Sequence, residues 1–300
     1  MMNASLTGLG CIASVPAISV ASDKPAVLEN FGEYNLNCLL DLPPLAPNNV
    51  RLYLCRHGQT ENNRLHMVQG ARVDPSLNLT GKQMSLRVGG AFSMLEANLR
   101  PNFVAHSLLS RARETAQGAA SVINDSFRNT GREVELSTLS SLGEVDFGPF
   151  AEGKPTVEVK SLMTKVYGAW AVGEIDTKPE LGGESGREVL VRAADSLTAL
   201  VDQAAKAKSG SLVAISHSTY LRMLLGLCMD ISLLEAATLE TKNGCINVID
   251  VDMQKPMTKI GRNSPVFGGK NSMAPMDTRI VIPSVKVVRI NETRHLADLI

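Results

Sequence analysis

The chain has 300 residues and a mass of 32.1 kDa, and its 30 basic and 30 acidic side chains leave a formal net charge of zero. With 44% hydrophobic and 20% charged residues it has a globular composition, which excludes a disordered chain, a collagen-like rod and a coiled coil. The charge balance gives no footing for nucleic acid or an anionic membrane surface, and no run approaches the roughly 18 apolar residues of a spanning helix.

Residues 1–22 carry no charged side chain and are rich in Ser, Ala, Gly and Val. They lack the basic start of a secretory signal and the arginines of a transit peptide, although the shortage of acids fits the latter. Residues 1–48 are therefore expected to form a flexible leader, with an organelle-targeting segment (plastid or mitochondrion) as the alternative. Pro43, Pro44, Pro47, Asn48 and Asn49 mark a loop into the folded part. Residues 51–55 are a β-prone run. Residues 80–99 have helical apolar spacing, with Thr80 as the expected N-cap. A short strand at 103–106 precedes a helix over 111–127, and 134–136 is a further short strand. Helices are expected over 154–170 and 185–207. Residues 212–216 form a continuous apolar run of the kind found in buried strands, followed by a helix over 218–228. Residues 246–251 alternate as a half-buried strand, and 285–290 read as strand again. Between them, 254–283 show no period and are expected to be an inserted loop. Strands alternating with helices predict an α/β fold: a three-layer sandwich around a mostly parallel central sheet.

The five cysteines, Cys11, Cys38, Cys55, Cys228 and Cys245, are odd in number and contain no CxxC pair. They form neither a disulfide framework nor a zinc site, and a reducing compartment, the cytoplasm, is the default. Of five histidines, His57 and His217 share a context. Each follows an apolar strand and precedes a turn or helix, the place where ligands bind α/β sheets. A lone histidine is ordinarily a hydrogen-bonded structural residue. Two at strand ends, with Arg56 adjoining His57 and Arg111 just after the 103–106 strand, instead suit a phosphate, whose oxygens match the guanidinium fork. His66, His106 and His295 lack that context and are read as structural or surface residues.

These residues resemble a known signature. Arg56-His57-Gly58-Gln59-Thr60, with Asn63 and Gln69-Gly70 beyond, is similar to the opening motif of the histidine phosphatase superfamily, the phosphoglycerate mutase-like proteins. Ser107-Leu108-Leu109-Ser110-Arg111-Ala112 resembles its second-arginine motif, and Leu142-Gly143-Glu144 its acidic loop. Gly182-Gly183-Glu184-Ser185, then Ser216-His217-Ser218 with Leu221-Arg222 after it (similar to the second-histidine motif), and the closing Asn291–Leu296 stretch follow in order. The resemblance covers about residues 50–253 and 284–300, making 49–300 the catalytic domain with its insert at 254–283. Leu108 stands where the family often has Pro, and Ser218 where it often has Gly.

The resemblance implies a phosphohistidine mechanism. His57 would be the nucleophile; Arg56, Arg111 and His217 would hold the phosphoryl oxygens; Glu144 would serve as proton donor and then base. Asn63, Gln69, Gly70 and Ser218 would contact substrate. No metal or other cofactor is implied, and no cluster of ligand spacing suggests one. The expected activity is hydrolysis of a small phosphorylated metabolite. The alternatives are a phosphoglycerate mutase-type phosphotransferase and a non-catalytic scaffold binding a phosphorylated ligand. The mutases carry aromatic residues beside the asparagine and after the glycine. Residues 62–71 have none, which favours the phosphatase. The sequence leaves the substrate and the oligomeric state open.

Overall fold

The computed structural model describes residues 35–128 and 130–300. Its elements in chain order are β1 (Asn49–Arg56), α1 (Glu61–Arg64), α2 (Leu79–Ser93), β2 (Phe103–His106), α3 (Ser110–Ser126), β3 (Glu135–Thr138), α4 (Thr156–Ala171) and α5 (Gly186–Lys206). They continue as β4 (Ser211–Ser216), α6 (Ser218–Met229), α7 (Leu233–Thr238), β5 (Ile246–Asp252), β6 (Thr258–Gly261), β7 (Arg279–Ile282) and β8 (Ser284–Glu292).

Six strands form one sheet in the order β3-β2-β4-β1-β5-β8. The pairs β1–β4, β2–β4 and β2–β3 are parallel, while β5 is antiparallel to both β1 and β8. Only β5 therefore runs against the rest, and the mostly parallel sheet expected from the sequence is the one observed. In β1, Leu52 and Leu54 join the apolar layer built by α4, α5, α6 and α7, and Tyr53 and Cys55 join the layer under α2 and α3. A strand buried on both faces is near-continuously apolar, which is why Leu52–Cys55 and Leu212–Ile215 are unbroken runs, and the buried polar residues beside them are partnered, Arg51 by Asp250 and Ser216 by Leu142 O. The helices close the sandwich with stripes such as Val189, Ala193, Leu197 and Leu200 of α5.

The structure departs from the expectations at particular places. The cap of α2 is Asn78, whose side chain accepts from Gly81 N at 2.8 Å, and the helix ends at Ser93. Thr80 lies inside the first turn, where its hydroxyl is not the capping group. Strand β5 is buried along nearly its whole length rather than on one face. Its polar positions are inside because each has a partner: Asp250 pairs with Arg51 at 2.7 Å, and Asn247 Nδ2 donates to Leu54 O at 2.9 Å.

The insert at 254–283 is not a plain loop. It folds β6 and β7 into an antiparallel hairpin that inserts Ile260, Ile280 and Ile282 into the core beside α5, and Val266 and Phe267 are fully buried with them. Each strand has four residues, too few for a period to show. Of the leader expected at 1–48, residues 1–34 lie outside the described residues. Residues 35–48 pack on the domain. Leu36–Leu39 make a 3-10 turn, Cys38 and Leu39 enter the core beside α2, and Asp41 meets Arg289 and Arg294.

Candidate active site

Strand register brings the candidate residues to one edge. Arg56 pairs with Ser216 and His106 with Ile215, so β1, β4 and β2 end level with one another. The ladder continues past the strand ends, with His57 N donating to Ser216 O at 2.9 Å and Ser107 N to Ile215 O at 3.2 Å. His57 and His217 thereby face each other with ring centroids 5.1 Å apart. Gly58 is required next: a Cβ there would lie 2.4 Å from Gly81 O, because α2 abuts this loop backbone to backbone.

His57 Nδ1 lies 2.7 Å from its neighbour's carbonyl, Gly58 O. A carbonyl only accepts, so Nδ1 carries the proton and Nε2 keeps its lone pair. Burial, then Arg111 and Arg56, hold the His57 imidazole well below its ordinary range. His217 is lowered by the same causes, burial first. Both rings are neutral at physiological pH. His217 Nε2 contacts Ser107 Oγ at 2.7 Å, while its Nδ1 is buried without a hydrogen-bond partner.

The arginines are held at their ends. Arg56 Nη1 donates to Thr241 O at 2.8 Å, and Arg111 Nη2 to Gly70 O at 2.7 Å and Nη1 to Val73 O at 3.0 Å. The Nε of each is buried and unpartnered. Burial lowers Arg56 to about 10, so it stays charged. Asp74 approaches Arg111 at 3.5 Å and chiefly accepts Ser110 N at 2.8 Å.

Glu144 sits opposite. Its Oε1 accepts from Val145 N and Tyr220 N, both at 2.9 Å, and its Oε2 from Thr219 N at 3.1 Å. The first turn of α6 therefore fixes this carboxyl group. Its loop is fixed from the other side by Arg192, which donates to Ser141 O and Gly143 O, both at 2.8 Å. Arg192 is itself held bidentately by Glu184, whose Oε2 also accepts Asp146 N at 3.0 Å. This is the part played by the Gly182–Ser185 motif, to which sequence reasoning gave no role.

Arg56, His57, Arg111 and Glu144 line a cavity of about 560 Å³ together with Asn63, Gln69, Gly70, Tyr167, Arg222 and Asn243, while His217 is fully buried behind His57 and is not among the lining residues. Asn63 Oδ1 takes donors from Thr60 and Asn243, and Gln69 Oε1 takes Thr60 Oγ, so each amide has its NH₂ left over. Gly70 has φ +60°, and a side chain there would strike the Glu152 carboxylate, which collects the N–H groups of Ala71, Arg72, Val73 and Phe147. Ser218 is placed apart from these groups, its Oγ 2.8 Å from Thr241 Oγ1, and it does not line the cavity.

Sequence reasoning missed Asn243 and Tyr167, and it placed Arg222 in the second-histidine motif without giving it a role. Asn243 Nδ2 donates to the carbonyls of His57 and Gly58 and to Asn63, tying the His57 loop to residues 241–245. No local motif marks it; only the tertiary fold does. His66 also lines the cavity mouth. His106 and His295 are buried, with hydrogen-bond contacts to Ser107 O and Gly244 O, as structural histidines should be. Among the described residues no group of three His, Cys, Asp or Glu is placed to hold a metal ion. No helix among them is long and apolar enough to cross a membrane.

The sandwich with two histidines and two arginines at the carboxyl edge of its sheet defines a phosphoryl-binding α/β protein. The profile of the histidine phosphatase superfamily, branch 1, matches residues 52–261, and the chain belongs to that superfamily. It is similar to a broad-specificity phosphatase of Saccharomyces cerevisiae, 28% identical over 178 residues that cover 59% of this chain and 70% of the relative. Among solved structures, it shares its fold with phosphoserine phosphatase of Entamoeba histolytica in complex with 3-phosphoglyceric acid. The TM-score is 0.56 at 22% identity, covering 82% of this chain and 98% of the other. It likewise resembles phosphoglycerate mutase of Bacillus anthracis, with a TM-score of 0.57 at 21% identity, covering 69% and 89%.

Proposed function

We propose that the protein is a phosphomonoesterase that hydrolyses a small phosphorylated metabolite through a phosphohistidine on His57. The observation that carries this is that three residues next to His57 each hold a buried, unpartnered nitrogen: Arg56 Nε and Arg111 Nε, of residues whose charges reach the ring, and Nδ1 of the facing His217. A buried polar group without a partner costs about 1–3 kcal/mol, more when charged, and two of these three belong to guanidinium groups. An anion accepting from all three removes that cost. When Ser107 Oγ donates to His217 Nε2, the proton of that ring sits on Nδ1, which makes it a donor as well.

In the first step His57 Nε2 attacks phosphorus, the P–O bond to the leaving group breaks, and Glu144 gives that oxygen a proton. In the second, Glu144 takes a proton from water as its oxygen attacks phosphorus and the N–P bond breaks, releasing phosphate and neutral His57. Arg56, Arg111 and His217 stabilise the charge on the equatorial oxygens in both steps. The yeast relative's broad-specificity phosphatase name and the aromatic-free stretch 62–71 support hydrolysis over mutase transfer. The one tryptophan, Trp170, is buried with Nε1 on Thr177 O, away from the cavity lining.

The test is p-nitrophenyl phosphate turnover in EDTA, followed by phosphate trapping. Activity should survive the chelator and vanish in His57→Ala, and quenched enzyme should carry acid-labile phosphate on His57. Loss of turnover in EDTA with recovery on adding Mg²⁺ or Zn²⁺ would mean that these side chains are not the operating site.

A further inference from the structure

Glu152 lies outside the cavity lining and takes no part in the chemistry proposed above, yet it is a buried carboxylate at 9% exposure. Its four donors are all backbone. Oε1 accepts from Ala71 N at 3.2 Å and Phe147 N at 3.0 Å, and Oε2 from Arg72 N at 2.6 Å and Val73 N at 3.2 Å. Among the described residues no lysine or arginine pairs with it directly. Burial, with Asp146 adding to it, pushes this carboxyl group above its ordinary range. A charge kept where burial opposes it points to a role beyond packing.

Three of those N–H groups belong to the segment that holds Arg111. Arg111 Nη2 donates to Gly70 O at 2.7 Å and Nη1 to Val73 O at 3.0 Å, and only Asp74, at 3.5 Å, adds to these. At one peptide the link is direct. The Gly70 carbonyl and the Ala71 N–H are the two ends of a single planar amide. Its oxygen meets the Arg111 guanidinium and its N–H meets the Glu152 carboxylate. Opposite charges at the two ends polarise that amide and strengthen both hydrogen bonds. The negative charge of Glu152 is felt at Arg111, although no hydrogen bond joins the two side chains. A Cβ on Gly70 would lie 2.1 Å from the Glu152 carboxylate, so the amide and the carboxylate meet with nothing between them.

Building on the phosphatase reading, we infer that Glu152 is the positioning residue of Arg111: it fixes the 70–73 segment from behind, and that segment fixes the guanidinium that receives the phosphoryl oxygens. Its influence falls on phosphoryl binding in both chemical steps, whatever the leaving group. Arg192 differs, since its bonds go to the carbonyls of the Glu144 loop. Phe147 N also ties Glu152 to the stretch after Glu144, so the experiment separates the two arginine-held loops.

That experiment is a double-mutant cycle read by vanadate, which mimics five-coordinate phosphorus. In Glu152→Gln one acceptor oxygen becomes an NH₂ group facing N–H donors. Vanadate should bind roughly tenfold to a hundredfold more weakly, and kcat/KM should fall by a similar factor for p-nitrophenyl phosphate and for an alkyl phosphate. Glu152→Asp keeps the charge and should recover part of the loss. In an Arg111→Met background neither substitution should weaken vanadate further. Calorimetry reads each affinity without turnover, and urea unfolding shows which variants are folded; if Glu152→Gln is not, Glu152→Asp carries the cycle. Vanadate binding weakened through Arg111, beside a wild-type chain that hydrolyses no ester, would overturn the phosphatase reading and leave the positioning role standing. An undiminished affinity, a loss of equal size with and without Arg111, or a loss that grows with the poorer leaving group would overturn that role.

Discussion

A histidine that is to attack phosphorus must be neutral, and His57 is kept so by burial and by two arginines. In an NMR titration of the full-length protein its ring should take up a proton only well below the pH at which a free imidazole does. A midpoint at or above that of a free imidazole would mean that the ring is neither buried nor faced by the arginines. Arg56 and Arg111 thus suppress the imidazolium and await the anion at once. Glu144 faces the opposite demand, since it must give a proton and take one back. Glu144→Gln keeps the size and loses that proton, and turnover of an ester with a poor leaving group should fall by roughly 10²–10⁴. p-Nitrophenolate leaves without help, so with its ester the variant should form phosphoenzyme readily and stall at hydrolysis. A burst of nitrophenol and accumulated phosphohistidine are expected. Equal single-turnover losses with good and poor leaving groups would reduce Glu144 to a structural residue.

At the scale of elements, α5 is tied to the loop that carries Glu144 and the N-terminal arm to the core beside α2. Arg192 of α5 holds the carbonyls of Ser141 and Gly143 and rests over the Tyr220 ring, 4.7 Å from its centroid. It touches no reacting atom in the proposed mechanism and acts through Glu144. Arg192→Met should therefore slow esters with poor leaving groups more than p-nitrophenyl phosphate. Arg192→Lys should recover part of the difference; a uniform loss would mark a general weakening of the fold. The arm is a matter of stability. Deletion through residue 45 looks harmless in the sequence, since proline and asparagine follow it and the α/β pattern begins only at Arg51. Leu39, however, is a core residue at 2% exposure. Leu39→Ala should cost about 2–5 kcal/mol in urea unfolding. Asp41 is exposed beside Arg289 and Arg294, so Asp41→Ala should cost at most about 1 kcal/mol. A silent Leu39→Ala would return residues 35–45 to the status of a dispensable leader.

Over the whole molecule, the sequence reveals what is local and conceals what is not. Strands β1 and β4 were legible because burial on both faces makes their central residues, Leu52–Cys55 and Leu212–Ile215, apolar, and His57 and His217 because each stands at the end of such a strand. The β6–β7 hairpin, Asn243 and the setting of Arg222, a residue legible only as a member of the second-histidine motif, were not. Their meaning depends on pairings between distant segments: Ile260 with Ile280, Asn243 with Asn63, Arg222 with Leu239. The polar face of β5 misled for the same reason, since Arg51 and Asp250 are 199 residues apart in sequence. One global property follows from the buried histidines. His295 lies in the core between Gly244 O at 3.0 Å and Cys38 Sγ at 3.8 Å, and burial lowers it to about 4. His57 and His217 are lowered as well. The unfolded chain protonates all three near pH 6.5, while the folded chain refuses the protons. The unfolded state thus binds more protons below that pH, and stability falls as pH drops from about 6.5 toward 4. Each histidine contributes a slope approaching about 1.4 kcal/mol per pH unit. Above pH 7 all three are neutral in both states, and the effect disappears. Urea midpoints measured from pH 8 to 4.5 should be flat and then decline. His295→Asn removes one titrating group without touching the phosphoryl site, so its curve should start lower and fall less steeply. Parallel curves for the variant and the wild type would show that His295 takes up its proton in the folded protein and has no share in the acid sensitivity.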